Sequence, residues 1–404
     1  MKKLIPLFLL YIFLVITFSS TTFQGDERDY LNYAIHLSQG NSPETLWWGP
    51  GYPIILLIVV FLRLPLIIAK MLNACFLFGA LLYFNKTLCL YVPEKSALLG
   101  TYLLGLYPPF MRNVHLLLTE SFVFLLVCGF TFHFCKLYKC SKVSWPTMLL
   151  ASVYLGYLAL TKVLFGYVIL TGLLCSFFMY IWNRDNRHRK TVCIYFFALI
   201  VCIPYLLCTF YLTGNLFYWG TSGGMSLYWI STPNKNELGD WFSATEVQER
   251  PELISHRDFF DQISNYSEIE KDRAFKEQAI YNIVHHPTKY FNNWIANIGR
   301  LLFSYPFSYT QQKITTYFYL FPNMFIFVLL TFSVYPGVYC RKIIPYEIGA
   351  LLFFVLISFG GTSLLSAYDR QFRPLVPILM FWLAWVYFYI LKIEICRITN
   401  LSEV

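Results

Sequence analysis

Apolar positions in this chain gather into long runs separated by short polar breaks. Ten runs, 4–18, 66–92, 97–110, 121–135, 148–160, 163–182, 191–212, 317–339, 348–365 and 375–391, read as membrane crossings, because about 20 apolar residues cover the roughly 30 Å hydrocarbon layer. The pattern predicts an all-α polytopic membrane protein of about ten transmembrane helices. Residues 52–62 form a shorter apolar run, ended by Arg63 and Pro65, which predicts a juxtamembrane helix rather than a crossing. In the polar loop ahead of it, Leu31, Ala34, Ile35 and Leu37 interleave with Asn32, His36 and Gln39. That spacing predicts an amphipathic helix lying on the membrane and stopped at Gly40. A hydrophilic excursion over 214–293 ends in a stretch, 272–290, with Ala274, Phe275, Ala279, Ile280 and Ile283 on one helical side. Its Trp, Tyr and Gly content predicts a small folded cap rather than a linker. No internal repeat is visible.

Composition agrees. The chain is 57% apolar and only 13% charged, with a mean hydropathy of +0.53, against roughly 25% charged residues in a soluble domain. The net charge of +9 does not form one patch, which argues against nucleic acid. It recurs between spans at Lys86 with Lys95, at Lys136, Lys139 and Lys142, at Arg184, Arg187, Arg189 and Lys190, at Arg341 with Lys342, and at Lys392 with Arg397. This is the signature of cytoplasmic loops. Met1-Lys2-Lys3 before the first run then reads as the cytoplasmic start of an uncleaved first helix. About half of the 22 carboxylates fall in 214–293, as suits an outer face. The eleven cysteines include no CxxC pair, so neither a disulfide framework nor a zinc site is expected. Phosphate-loop, HExxH, GxSxG and dinucleotide motifs are absent.

Two carboxylates stand out. Asp26 opens the amphipathic helix and reads either as its cap or as a carboxylate at the water boundary able to take a proton from a hydroxyl group. Glu120, in Leu118-Thr119-Glu120-Ser121, opens the fourth crossing, where capping by Thr119 is the simpler reading. Arg63, Lys70, Arg112, Lys162, Arg300, Arg370 and Arg373 all map to the outer side, against the positive-inside pattern. Lys162 and Arg373 sit at outer span ends beside apolar sequence. Cations so placed suit a phosphate diester at headgroup depth.

These residues bring a family into view. The Gln24-x-Asp26-Glu27-x-x-Tyr30 loop resembles the first outer loop of the GT-C membrane glycosyltransferases, in the protein O-mannosyltransferase and lipid A aminoarabinose transferase branch. Pro50-Gly51-Tyr52-Pro53, Thr119-Glu120 and Gly156-Tyr157-Leu158-Ala159-Leu160-Thr161-Lys162 match in order. So do Gly223-Gly224 through Gly239-Asp240-Trp241, then His286-Pro287-x-x-Tyr290, and Arg370-x-x-Arg373-Pro374.

The resemblance implies an N-terminal catalytic membrane module (1–213), an outer-face domain (214–293) and a C-terminal membrane module (294–404) in a bacterial inner membrane. It implies a polyprenyl-phosphate-linked sugar donor and a lipid, glycan or protein acceptor bearing a hydroxyl group. Asp26 would be the general base. Glu27, Glu120, Lys162, Arg370 and Arg373 would bind substrate, with Lys162 and Arg373 near the lipid phosphate. The chain departs from the aminoarabinose transferase at Trp47-Trp48-Gly49-Pro50, where that enzyme has an acidic residue before its proline, which leaves a divalent metal open. The rival from another class is a transporter or flippase. Such proteins keep ionisable residues near mid-bilayer and show paired halves, whereas the unusual charges here collect at one face.

Overall fold

A computed structural model describes residues 2–20, 22–41, 45–140, 144–312 and 314–392. Met1, Lys142 and Arg397, used above as topology markers, lie outside the described residues. The described chain is built from helices: α1 (Ile5–Phe18), α2 (Glu27–Ser38), α3 (Gly51–Phe61), α4 (Leu66–Cys89), α5 (Glu94–Gly105), α6 (Pro108–Met111), α7 (Glu120–Lys139), α8 (Trp145–Thr161), α9 (Leu164–Asn183) and α10 (Asn186–Thr213). After them come α11 (Ser222–Ile230), α12 (Ala244–Glu249), α13 (Ile254–Gln262), α14 (Glu268–His285), α15 (Pro287–Phe303), α16 (Tyr317–Tyr339), α17 (Tyr346–Ser363) and α18 (Val376–Trp385).

Seven segments are long and apolar enough to cross a membrane: α4, α7, α9, α10, a helix over Ile314–Tyr339 that includes α16, α17, and a composite helix over Asp369–Ile390 that includes α18. The other three expected crossings are present as shorter helices, α1, α5 and α8. α5 stops at Gly105 because Pro108-Pro109 cannot continue it, and the two prolines instead start α6. α7 is the central post, with 78% of its apolar window buried, while the corresponding window of α16 is only 22% buried and forms the rim.

One end of this bundle gathers the basic loops. Lys139 lies over the Tyr91 ring, Lys190 over Tyr138 and Arg187 over Tyr346. The Tyr91 hydroxyl donates to Glu347 at 2.5 Å. Glu120 stands at the other end of α7, about 30 Å away at 1.5 Å per residue, on the side of the excursion.

The excursion builds an apolar cluster of its own from Tyr228, Trp229, Phe242, Leu253, Phe260, Phe275 and Ala279, among others. α14 starts with a capping box: Ser267 accepts from the Glu270 backbone N–H, and Glu270 from that of Ser267. Its buried face is Asp272, Phe275, Ala279 and Asn282. Ile280, expected inside, is 57% exposed. The face is rotated because Asp272, buried at 3% exposure, accepts the Gly224 N–H and the Tyr218 hydroxyl, each at 2.8 Å.

Candidate functional site

The turn that carries Asp26 is fixed by its neighbour. Glu27 is fully buried and accepts the Gln24 N–H at 2.7 Å and the Leu117 N–H at 2.8 Å. Its Oε1 lies 3.5 Å from the buried Lys70 ammonium, which also donates to the Ser20 carbonyl at 3.0 Å. One carboxylate thus ties the first loop to α4 and to the loop ahead of α7. Glu27 was expected to bind substrate, but both its oxygens are taken up by the protein. Removing one partner of such a buried pair costs about 3–5 kcal/mol.

Asp26 occupies the cap position of α2, yet its side chain makes no capping hydrogen bond. Its Oδ2 accepts instead from Arg370 at 2.8 Å, with both groups partly exposed. Oδ1 has no partner among the described residues. The local helix therefore does not account for Asp26.

The same holds for Glu120. Thr119 makes no cap bond, and both Glu120 oxygens are buried without a hydrogen-bond partner. An ionised carboxylate in that state is costly, so it points to a group that neutralises it. The cations on which Glu120 acts are Lys162, at the junction of α8 and α9, and Arg370. Burial pulls the Lys162 ammonium below its ordinary value, while Glu120 and Asp26 push it back up and Arg370 and Arg373 oppose them. Among the described residues its ammonium makes no hydrogen bond or ion pair. Asp26, Glu120, Lys162, Arg370 and Arg373 thus share one electrostatic neighbourhood.

Within it the two arginines differ. Arg373 is 4% exposed and fully engaged: Nε donates to Asp369 at 2.7 Å, and its terminal nitrogens reach the Tyr319 hydroxyl at 3.0 Å and the Pro109 carbonyl at 3.3 Å. Arg370 alone reaches Asp26. Arg373 thus braces α6 and α16, Arg370 is bonded to Asp26, and Lys162 makes no hydrogen bond among the described residues.

The matched motifs meet in space. A Cβ at Gly49 would collide with the Leu160 carbonyl and one at Gly51 with the Thr161 hydroxyl, and Tyr157 donates to the Gly51 carbonyl at 3.1 Å. The 47–52 loop therefore sits directly on the end of α8 that delivers Lys162. Ser366 donates to the Gly239 carbonyl and Tyr368 to that of Trp241, both at 2.8 Å, while Tyr290 donates to Leu364 at 3.2 Å. These bonds fasten the segment before Arg370 to the excursion. Lys70 had been noted only as a misplaced cation, and that oddity was its signal. Among the described residues no three His, Cys, Asp or Glu side chains gather as an ion-binding group.

No protein-family model matches this chain, and no curated protein matches it. Among solved structures it is similar to the oligosaccharyltransferase of Archaeoglobus fulgidus, AglB. Against its apo form the TM-score is 0.58 at 12% identity, covering 96% of this chain and 50% of that one. Against the complex with an inhibitory peptide and a dolichol-phosphate it is 0.54 at 13%, covering 96% and 50%. Against the form tethered to an acceptor peptide it is 0.55 at 13%, covering 96% and 49%. The chain spans about half the length of that enzyme. At such identity the likeness is one of fold: 96% of this chain superposes on about half of that oligosaccharyltransferase.

Proposed function

We propose that this chain transfers a sugar from a polyprenyl-phosphate carrier to an acceptor hydroxyl group at the outer face of a bacterial inner membrane, with inversion. The observation that carries the reading is Asp26: it is placed as a cap but unused as one, anchored through Oδ2 to Arg370 and open at Oδ1. The acceptor oxygen attacks the anomeric carbon, the carbon–oxygen bond to the phosphate breaks, and polyprenyl phosphate leaves with the electron pair. Forming the new bond acidifies the hydroxyl group, and its proton passes to Asp26 Oδ1. General-base help of this kind is worth about 10²–10⁴ in rate. Arg370 lies between base and phosphate and Lys162 supplies a second fixed charge, so the departing phosphate meets preorganised cations. Glu120 neutralises Lys162 and sets its position.

The fold supports a lipid-linked donor, since one structure of its neighbour holds a dolichol-phosphate. A transporter would place such groups at mid-bilayer, whereas these stand at the heads of spans. Asp26→Asn tests the reading: transfer from a polyprenyl-phosphate sugar should fall by about 10²–10⁴ with the thermal unfolding midpoint unchanged. Transfer at the wild-type rate would remove Asp26 as the base.

A further inference from the structure

On the exposed side of α2, one turn beyond Asp26, lies a cleft of about 60 Å³ lined by Asp29, Asn32, Tyr33, His36, Thr45 and Trp48. Positions 26, 29, 32 and 36 follow the helical repeat, so Asp26 and the cleft share one face. The Asp29 carboxylate is partly buried and has no hydrogen-bond partner among the described residues. Burial and the charge of Asp26 raise its pKa, against a smaller opposite pull from Arg28. Tyr33, 5% exposed, also lines the cleft, and its hydroxyl group is buried without a partner among the described residues. Trp48 forms a wall, held 5.9 Å from Tyr30 and 6.5 Å from Trp47 between ring centroids. The hydrogen bonds and ion pair around Glu27 use none of these groups.

We infer that this cleft is the acceptor subsite and that the acceptor is a carbohydrate, whose ring edge presents hydroxyl groups to Asp29 and Asn32 and whose C–H face lies on Trp48. This rests on the glycosyl-transfer reading above and gives that reading its substrate class. A carboxylate and an amide beside an indole match a ring with polar edges and apolar faces. The space holds the hydroxyl-bearing edge of a ring and is too small for a lipid chain. An extended peptide would seek a strand edge for its backbone, and among the described residues there is no strand. The cleft runs along α2 from about 4.5 Å beyond Asp26 at Asp29 to about 15 Å at His36, so a sugar seated at its Asp29 end has a neighbouring hydroxyl group within reach of Oδ1.

The test uses the full chain in detergent and saturation-transfer NMR with the methyl glycosides of glucose, galactose, mannose and N-acetylglucosamine. At least one glycoside should receive saturation from the wild type and equally from Asp26→Asn. The effect should weaken by about tenfold in Trp48→Ala and Asp29→Ala, as expected for losing one anchoring contact. Asn32→Ala, at an exposed position where folding is not at stake, should weaken it less but measurably. The inference is overturned if no glycoside is saturated, if Trp48→Ala and Asn32→Ala both bind like the wild type, or if a short Ser/Thr peptide binds in a Trp48-dependent way. Binding is read without transfer, so this outcome is separate from the Asp26→Asn assay.

Discussion

The two ends of the bundle handle charge in opposite ways. At the basic end, Lys139, Lys190 and Arg187 lie over aromatic rings, and the one carboxylate drawn inside, Glu347, is met by the Tyr91 hydroxyl. At the excursion end, Glu120 is buried with no hydrogen bond and Lys162 has no partner among the described residues. Charges that set orientation are satisfied where they stand. Glu120 and Lys162, which we propose serve a substrate, are held in place with their bonding capacity unspent.

The largest effect separating the ends is catalytic. Asp26→Asn should remove about 10²–10⁴ of the rate, whereas Glu347→Gln at the basic end should leave the rate alone, as measured by transfer from a polyprenyl-phosphate sugar. Next comes Glu27→Leu, which strands Lys70 and should lower stability by about 3–5 kcal/mol. Adding Lys70→Met should recover most of that in thermal unfolding, which a substrate-binding Glu27 would not predict. Glu120→Gln takes away the charge that neutralises Lys162, so transfer should fall together with the unfolding midpoint, and adding Lys162→Met should restore the midpoint but not transfer; wild-type transfer in Glu120→Gln would show that Glu120 plays no part at the site.

A smaller effect belongs to the excursion. Burial alone would raise the Glu237 carboxyl, but His256 at 2.9 Å, with Thr232 and Asn234, brings it below its ordinary value of 4.5. A carboxyl lowered on folding contributes stability above its unfolded value and loses it as pH falls through the folded one. Tryptophan fluorescence should therefore report a falling midpoint below about pH 4.5, and Glu237→Gln should flatten that dependence. The smallest effect is Lys139→Ala, which forfeits one exposed cation–ring contact and about 0.5–1 kcal/mol, without touching transfer.

Local rules reached a good part of this. Apolar run length gave the long crossings, Gly40 and the Arg63-Pro65 pair marked the ends of α2 and α3, and Ser267 with Glu270 forms a cap readable from spacing. The run 97–110 predicts one crossing, whereas α5 ends at Gly105, a break that Pro108-Pro109 imposes. Partner choice was not readable. Arg370 and Arg373 are three residues apart in one short motif, and the partners that folding brings up, Asp26 for Arg370 and Tyr319 with the Pro109 carbonyl for Arg373, decide how each is used. Likewise Glu27 and Asp26 are adjacent carboxylates, and a lysine 43 positions from Glu27 distinguishes the inner one from the outer.

Finally, the glycines at 49 and 51 leave no room between the first loop and the end of α8. Trp48, which lines the proposed acceptor cleft, and Lys162, which in the proposed reaction meets the lipid phosphate, are therefore mounted on one shared seam. Exchanging the 47–52 segment alone, to change what is glycosylated, would misalign the grip on the carrier as well. Retargeting such an enzyme requires moving the loop together with the tip of α8 on which it rests.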